Sequence, residues 1–464
     1  MSSTTAARAR RRSTRHQRAW YWYDWANSAY VTTTATVLMG PYLTSIANRA
    51  ACPGQPVTQV CRTDLSVLGV PVSPGSLYPY VTTVTTVLSA VLLVAVGAVA
   101  DRSAAPQRLL GWFAAVGAAA AAAMVFVQGT GWQLGVALLM VASLCLGCTL
   151  VIYDGILCRI AGPDDRDRVS SRGWALGYVG GALLLAANFG LLTVHDRLGL
   201  TTDQAVRISL LSAGLWWGVF TLIPVLGLRD LPPQPLPDDL PPDAGPRAGT
   251  VGGAFAQLRD TLTELRGYPQ TLLFLLAYLF FNDGIQTVIS ASSLFGSSEL
   301  GMAQSQVLLT FLVVQVVAVG GALGFGRLAA RFGAHRTVLA SLVVWTVVVA
   351  VAFVVPRGSF PAFVALGVLI GVVLGGTQAL SRSLYSQLVP RGRESEFFSL
   401  YQAMERGTSW FGTLLFGLMQ QWTHSYRLSI VALVVFFVVG GVLLSKVDVR
   451  AGIRAAGNAQ PAVV

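Results

Sequence analysis

Apolar and polar positions in this chain alternate in long blocks rather than with the short period of an amphipathic surface helix. A helix needs about 20 predominantly apolar residues to cross a bilayer. Twelve stretches reach that length: Trp20–Ile46, Leu77–Ala100, Leu109–Val127, Gln133–Cys158, Gly173–Val194, Ile208–Leu226, Tyr268–Leu294, Val307–Ala330, Thr337–Val355, Ala362–Leu388, Phe397–Gln420 and Leu428–Leu444. Polar residues are densest in the fourth, tenth and eleventh. After the sixth comes Leu231-Pro-Pro-Gln-Pro-Leu-Pro-Asp-Asp-Leu-Pro-Pro242, whose proline content predicts an extended linker. Phe255, Leu258, Leu262 and Leu265 then recur at helical spacing, with Arg259, Asp260, Glu264 and Arg266 on other faces. That pattern predicts a short amphipathic helix on the membrane surface. An ordinary interdomain helix shows the same periodicity.

The expected organisation is therefore a tail (1–18), a six-helix bundle (19–228), a linker with its surface helix (229–267), a second six-helix bundle (268–446) and a second tail (447–464). Composition supports an all-α membrane protein. The chain is 54% hydrophobic and 11% charged, with a mean hydropathy of +0.61. A soluble protein carries about 25% charged residues.

Charge then orients the bundles. With twelve spans both termini share one side, and that side holds 25 of the basic residues against 6 on the other, with Arg406 inside a span. The positive-inside rule places both termini in the cytoplasm. It also accounts for the net charge of +11 without nucleic-acid binding, since no basic fold or motif is present. The Arg-rich start is no signal peptide, because the apolar stretch behind it is too long and too polar at its beginning. It reads as a disordered tail able to touch anionic lipid.

The two halves carry traces of duplication, as in transporters built from repeats. Asp24 and Asn27 open the first span, while Asn282 and Asp283 lie in the seventh. Gly97-Ala-Val-Ala-Asp-Arg102 follows the second span, and Gly326-Arg-Leu-Ala-Ala-Arg331 follows the eighth. Asp101 stands where it can cap a helix start or pair with an Arg, latching two helices in one conformation. The first loop is close to the Gly-x-x-x-Asp-Arg motif of the major facilitator superfamily, and the second is a degenerate copy without the acid.

Tyr23-Asp-Trp-Ala-Asn-Ser-Ala-Tyr30 resembles the first-helix signature of the vacuolar amino-acid effluxer-like family, a branch of that superfamily. Gly173-Trp-Ala-Leu-Gly-Tyr-Val-Gly-Gly181, Asn282-Asp-Gly-Ile-Gln-Thr287 and Gly375-Gly-Thr-Gln-Ala-Leu-Ser-Arg-Ser-Leu384, followed by Glu396-Phe-Phe398, are similar to the same family. The resemblance samples both halves. It implies the twelve-helix major facilitator fold, with the first, fourth, seventh and tenth spans lining a central cavity. Amino-acid efflux is the activity of eukaryotic relatives in another membrane. Scarce Lys with abundant Arg, Ala and Gly points to a GC-rich bacterium, hence to a plasma membrane.

The candidate chemistry is the set of polar residues within spans. Asp24, Asn27, Tyr30, Tyr153, Trp174, Tyr178, Asn282, Asp283, Gln286, Gln378, Glu405 and Arg406 are the candidates for solute binding or coupling. Carboxylates, amides, Arg and aromatics together suit a small polar or zwitterionic solute, since Arg forks onto a carboxylate and an acid holds an ammonium. Asp24 and Asp283 are the candidate proton sites, because a charged acid inside a membrane is costly and normally paired or functional. Asp24, a turn from the helix end, is as readily a structural partner of an Arg. Asp283, deep in its span, is expected to pair with Arg406 or to carry a proton for part of the cycle. Asp101, Arg102, Asp154, Arg159 and Arg382 are the candidate conformational latch. Trp20, Trp22 and Tyr23 read as an interfacial aromatic belt. Paired glycines such as Gly375-Gly376 read as close-packing positions.

Cys52 and Cys61, in a loop on the oxidising side, are the candidate disulfide; Cys145, Cys148 and Cys158 are small apolar residues. His16, His195, His335 and His424 are scattered without metal-ligand spacing. With Lys446 the single lysine, no phosphate-loop motif exists. No enzyme activity, cofactor or metal is expected. The expected partners are a small-molecule substrate, protons and membrane lipids, and the expected state is a monomer. The sequence thus reads as a proton-coupled secondary transporter of a small polar or zwitterionic solute working by alternating access, with amino-acid efflux as a candidate activity. Export or flipping of an amphiphile or lipid, and a non-transporting sensor or scaffold, are the alternatives.

Overall fold

A computed structural model describes residues 13–54, 63–67, 69–232, 259–407, 409–423 and 425–464. Ten of its helices are long and apolar enough to cross a membrane, from Pro74–Arg102 to Tyr426–Ser445. They include the fourth and tenth spans, Trp132–Ile160 and Phe360–Leu388. The first and eleventh spans complete the twelve, each as a broken helix. The eleventh is Glu394–Gly407 followed by Ser409–Thr423. The first is Arg15–Tyr30, a π-helical stretch Val31–Leu38 and Met39–Ala51. The π stretch is a run of β-branched residues, Val31 to Thr34 with Thr36 and Val37, which crowd an α-helical turn. Thr36 Oγ1 donates to the Val31 carbonyl at 3.0 Å, five residues back.

The helices form two bundles with separate apolar cores, one around Trp20, Tyr153 and Trp217, the other around Phe281, Trp345 and Tyr385. Duplication is visible at the membrane face remote from the chain ends. In the first half Arg49, ending the first span, bonds Asp203 at the start of the sixth at 3.1 Å, while Arg207 reaches the Val125 carbonyl behind the third. In the second half Glu299, after the seventh span, receives Arg427 at the start of the twelfth at 2.9 Å, and Arg427 also reaches the Val355 carbonyl behind the ninth. Each half is clasped at the same three helix ends, with the sign of the charges exchanged. A short hairpin, Leu65–Val67 against Val70–Val72, lies in the first loop on that face.

Across the halves, the second span packs on the eleventh and the fifth on the eighth. Glycine permits this closeness. A Cβ on Gly97 would meet the Ser395 carbonyl at 2.6 Å, and one on Gly375, inside the second half, would meet the Ala318 carbonyl at 2.3 Å.

Both chain ends differ from expectation. Helix begins at Arg15, within the expected tail, because Thr14 and Gln17 form a capping box. Residues 1–12 lie outside the described set. The end of the chain is docked rather than free: Val449–Ala455 is a helix with Ile453 fully buried. Of the surface helix in the linker, Phe255 and Leu258 lie outside the described residues. Thr261 and Leu265 are buried, whereas Leu262 is exposed. The aromatic belt at the start of the first span is also corrected. Trp20 and Tyr23 are fully buried, and Trp22 stacks on Phe220, because these rings face neighbouring helices instead of lipid headgroups.

Candidate functional site

A cavity of about 1130 Å³ lies between the halves. Its upper wall carries Thr36, Tyr78, Thr82, Phe295, Thr310 and Phe363, from span ends remote from the chain termini. Its floor carries Asp24, Asp154, Arg382, Gln402, Glu405 and Arg406. The π-helical part of the first span contributes Val31, Thr32, Thr36 and Val37 to the wall, a common place for such bulges.

Arg382, in the tenth span, is the centre of the floor. Its Nη2 donates to Asp24 Oδ2 at 3.2 Å and its Nη1 to Asp154 Oδ1 at 3.4 Å, so two carboxylates of the first half hold one guanidinium of the second. Nε donates to Ser170 Oγ at 3.0 Å. The side chains of Arg382, Asp24 and Asp154 are 3%, 7% and 2% exposed, so none is satisfied by bulk water. The two acids are bonded further. Tyr153 Oη donates to Asp24 Oδ2 at 2.7 Å, and Gln402 Nε2 to Asp154 Oδ2 at 2.9 Å. Trp20 stacks on Tyr153 with ring centroids 4.1 Å apart, and the guanidinium sits 4.9 Å from the Trp20 ring centroid. Buried ion pairs of this kind persist only when every remaining hydrogen-bonding position is filled. Gly173 makes room for it, since a Cβ there would meet Asp24 Oδ2 at 2.4 Å.

Between this floor and the chain ends the halves are sealed. Ser170 Oγ donates to the Ala379 carbonyl at 2.7 Å, Gln387 Nε2 to the Pro163 carbonyl at 2.9 Å, and Ser383 Oγ to Asp167. Asp101 accepts the backbone N–H groups of Ser395 and Glu396, each at 2.8 Å. Those amides open the helix Glu394–Gly407, so a carboxylate of the first half caps a helix of the second, where orphan donors and the helix dipole favour negative charge. The cavity is thus open toward one membrane face and closed toward the face that carries both chain ends.

Several expected residues meet here and others do not. Asp24, Asn27, Trp174, Tyr178, Gln286, Gln378, Glu405 and Arg406 line the cavity. Tyr153 stands behind Asp24. Asn282 is fully buried and joins three spans, accepting from Gln378 Nε2 at 3.0 Å and donating to the Glu405 carbonyl at 3.3 Å. Tyr30 is absent from the cavity wall; it stacks on Trp217 in the core of the first half. Asp283 is likewise away from the cavity and forms no ion pair with Arg406 among the described residues. It faces the second segment of the eleventh span, where Oδ2 accepts the Gly412 N–H at 2.7 Å, whereas Arg406 points into the cavity. Of the expected latch, Asp101, Asp154 and Arg382 bridge the halves. Arg159 instead donates to the Pro232 carbonyl, and Nη1 of Arg102 is buried without a hydrogen-bond partner among the described residues. Cys52 is disulfide-bonded, and Cys61 lies outside the described residues.

Sequence reasoning passed over Ser170, Asp167, Gln387 and Gln315, the last donating to Thr32 across the cavity at 3.0 Å. Spacing held a signal for two of them: Arg166 and Ser170, and Ser383 and Gln387, are each four apart and so share a helix face.

Residues 12–457 match the family model described as "vacuole effluxer Atg22 like". The chain is 28% identical over 440 residues to a Bacillus subtilis (strain 168) protein named "Uncharacterized MFS-type transporter YxiO", over 94% of this chain and 96% of that one. It is 25% identical over 466 residues to autophagy-related protein 22-1 of Penicillium rubens, over 83% and 77% of the two chains. Among solved structures, the human organic anion transporter MFSD10 superposes with a TM-score of 0.65 at 13% identity, over 93% of this chain and 99% of that one. A bacterial homologue of the iron transporter ferroportin, in an outward-facing state, gives 0.63 at 14% identity, over 93% and 99%. Those two likenesses establish the fold, a twelve-helix major facilitator architecture. With the family match spanning both halves, the chain belongs to the vacuole effluxer Atg22-like family of major-facilitator membrane transporters.

Proposed function

We propose that this transporter exports a small polar or zwitterionic solute across a bacterial plasma membrane in exchange for protons, with both termini in the cytoplasm. The observation that carries the reading is the one-sided cavity whose floor is a buried Arg held by two acids of the opposite half. With the termini inside, the distribution of basic residues makes this conformation outward-open. Asp24 and Asp154 line the cavity and are reached by protons from outside. Protonating either removes one charge from the buried cluster while Arg382 keeps the other acid, and weakening that charge-assisted bond costs about 2 kcal/mol. That cost falls on the sealed state alone, so an outside proton drives opening toward the cytoplasm, where the proton leaves and solute enters.

Glu405 and Arg406 supply complementary charge for the solute. Both line the cavity, and Arg406 has no ion pair among the described residues; Nε makes only a 3.5 Å contact with Gln402 Oε1. Its free fork suits a carboxylate, and Glu405 an ammonium. Trp174, Tyr178, Gln286 and Gln378 shape the rest of the wall.

The test is counterflow and gradient-driven transport in proteoliposomes, with a panel of amino acids and of amphiphiles, with and without a pH difference. Amino-acid exchange that accelerates with a proton gradient, and is lost in Arg406→Gln, supports the reading. Transport of amphiphiles alone, or none by a folded protein, refutes it.

A further inference from the structure

The end of the chain lies across the closed seam. After the helix Val449–Ala455, Asn458 Nδ2 donates to the carbonyls of Gln387 at 2.9 Å and Val389 at 2.7 Å, at the end of the tenth span. Four residues later the Ala462 N–H donates to Asp164 Oδ1 at 2.7 Å, in the loop between the fourth and fifth spans. The first contact is to the second half of the molecule and the second to the first half. Between them, Pro461 to Val464 line one side of a crevice of about 270 Å³ whose other walls are Pro163, Asp164 and Asp167 from the first half and Ala330, His335 and Leu384 from the second. The anchor beneath is firm. Ile453 is fully buried, and a Cβ on Gly452 would meet Leu388 Cδ2 at 2.6 Å.

We infer that residues 458–464 are a strap that holds the terminus-bearing side of the transporter closed and must leave Asp164 before that side opens. Alternating access moves one six-helix bundle against the other around the fixed site. The crevice walls belong to different bundles and therefore separate in that movement. A segment bonded to both stabilises only the state in which they are together, which is the differential contact a conformational bias requires. Anything that draws the strap out, such as a protein or lipid surface binding the segment, would then raise the fraction of transporters open on that side. The strap is an autoinhibitory contact built into the chain. The inference rests on the alternating-access reading, but not on the solute or the coupling ion.

The test measures spin-label distances between positions 104 and 331, exposed sites on the same face in different halves. The full chain, a chain ending at residue 457, Asp164→Ala and Asp164→Asn are compared in detergent and nanodiscs. The truncated chain is expected to raise the ratio of open to closed populations about tenfold, the effect of about 1.4 kcal/mol. Asp164→Ala should shift it the same way by a smaller factor. Asp164→Asn keeps an acceptor for the Ala462 N–H and should match the full chain. Because Asp164 is on a surface loop, its variants fold even if the truncated chain does not. Populations in Asp164→Ala equal to those of a full chain that samples both states would overturn the strap. A single closed distance in every variant, with or without solute, would overturn the strap and alternating access together.

Discussion

The Arg382 cluster gives the sharpest prediction. Arg382→Gln leaves Asp24 and Asp154 buried on the cavity floor with no cation. At 3.2 and 3.4 Å, with an effective dielectric of about 20, each lost attraction is about 5 kcal/mol before desolvation is returned. The net cost of stranding one side of a buried pair is about 3–5 kcal/mol. Asp24→Asn is milder, about 2 kcal/mol, since Arg382 retains Asp154 and only one charge-assisted bond is weakened. All of these contacts cross the halves, so the penalty destabilises the closed terminal side specifically. A penalty of 3 kcal/mol is about 150-fold in the conformational equilibrium. A native reporter is in place. Cys158 lies at the seam, with Sγ 3.8 Å from the Ser386 carbonyl of the other half, while Cys145 and Cys148 are buried within the first. Maleimide modification of Cys158, located by mass spectrometry, should be strongly accelerated by Arg382→Gln and less so by Asp24→Asn. The triple variant Asp24→Asn, Asp154→Asn, Arg382→Gln removes every stranded charge and should slow it again. Unchanged Cys158 reactivity in a folded Arg382→Gln protein would refute the view that this cluster holds the seam.

Three further outcomes are expected. Asp101→Asn loses the charge facing the Glu394–Gly407 N-terminus and one of two amide bonds, and should raise Cys158 reactivity by about 2 kcal/mol worth of equilibrium while leaving solute affinity nearly unchanged. Asp283→Asn should lower yield and melting temperature in detergent, because the side chain ties the seventh span to Gly412, while surviving protein keeps proton-driven transport; loss of coupling with normal stability would contradict its placement. For Glu299, burial alone would raise the carboxyl, but hydrogen bonds from Arg427 and Arg357 outweigh it and hold the group below the ordinary glutamate range. Folded-state affinity for the proton is thus lower than unfolded, so its stabilisation is present above the unfolded pKa and is lost as pH falls through the folded one. Thermal melts should show Glu299→Gln less stable than the native protein at neutral pH, with the gap closing in acid; a gap that widens in acid would contradict this sign.

Apolar stretches were enough to place the twelve spans, because in a bilayer each span satisfies its own backbone and needs no partner to be recognised; most of the proline-rich linker expected after the sixth lies outside the described residues. Tyr23–Tyr30, Gly97–Arg102 and Gly375–Leu384 carried the family. The local surprises arose where side-chain crowding or capping decides helix geometry: the π stretch at Val31–Leu38 and the helix start at Thr14. Which polar residues meet was decided elsewhere. Asp24, Asp154, Ser170 and Arg382 are far apart in sequence and converge because four helices cross at one depth. Asp283, deep in its span and beside an amide, looked at least as promising as Asp24, yet the rotation of the seventh span turns it toward Gly412 and away from the cavity. A helix sequence gives the angular spacing of its residues but not the azimuth at which the helix is docked. That angle is set by packing against neighbours such as the Gly97–Ser395 and Gly375–Ala318 contacts. Sequence therefore determined what this protein is made of and where it spans. Only the tertiary structure decided which acids face the cavity, which join the two halves, and that residues 458–464 lie across the seam between them.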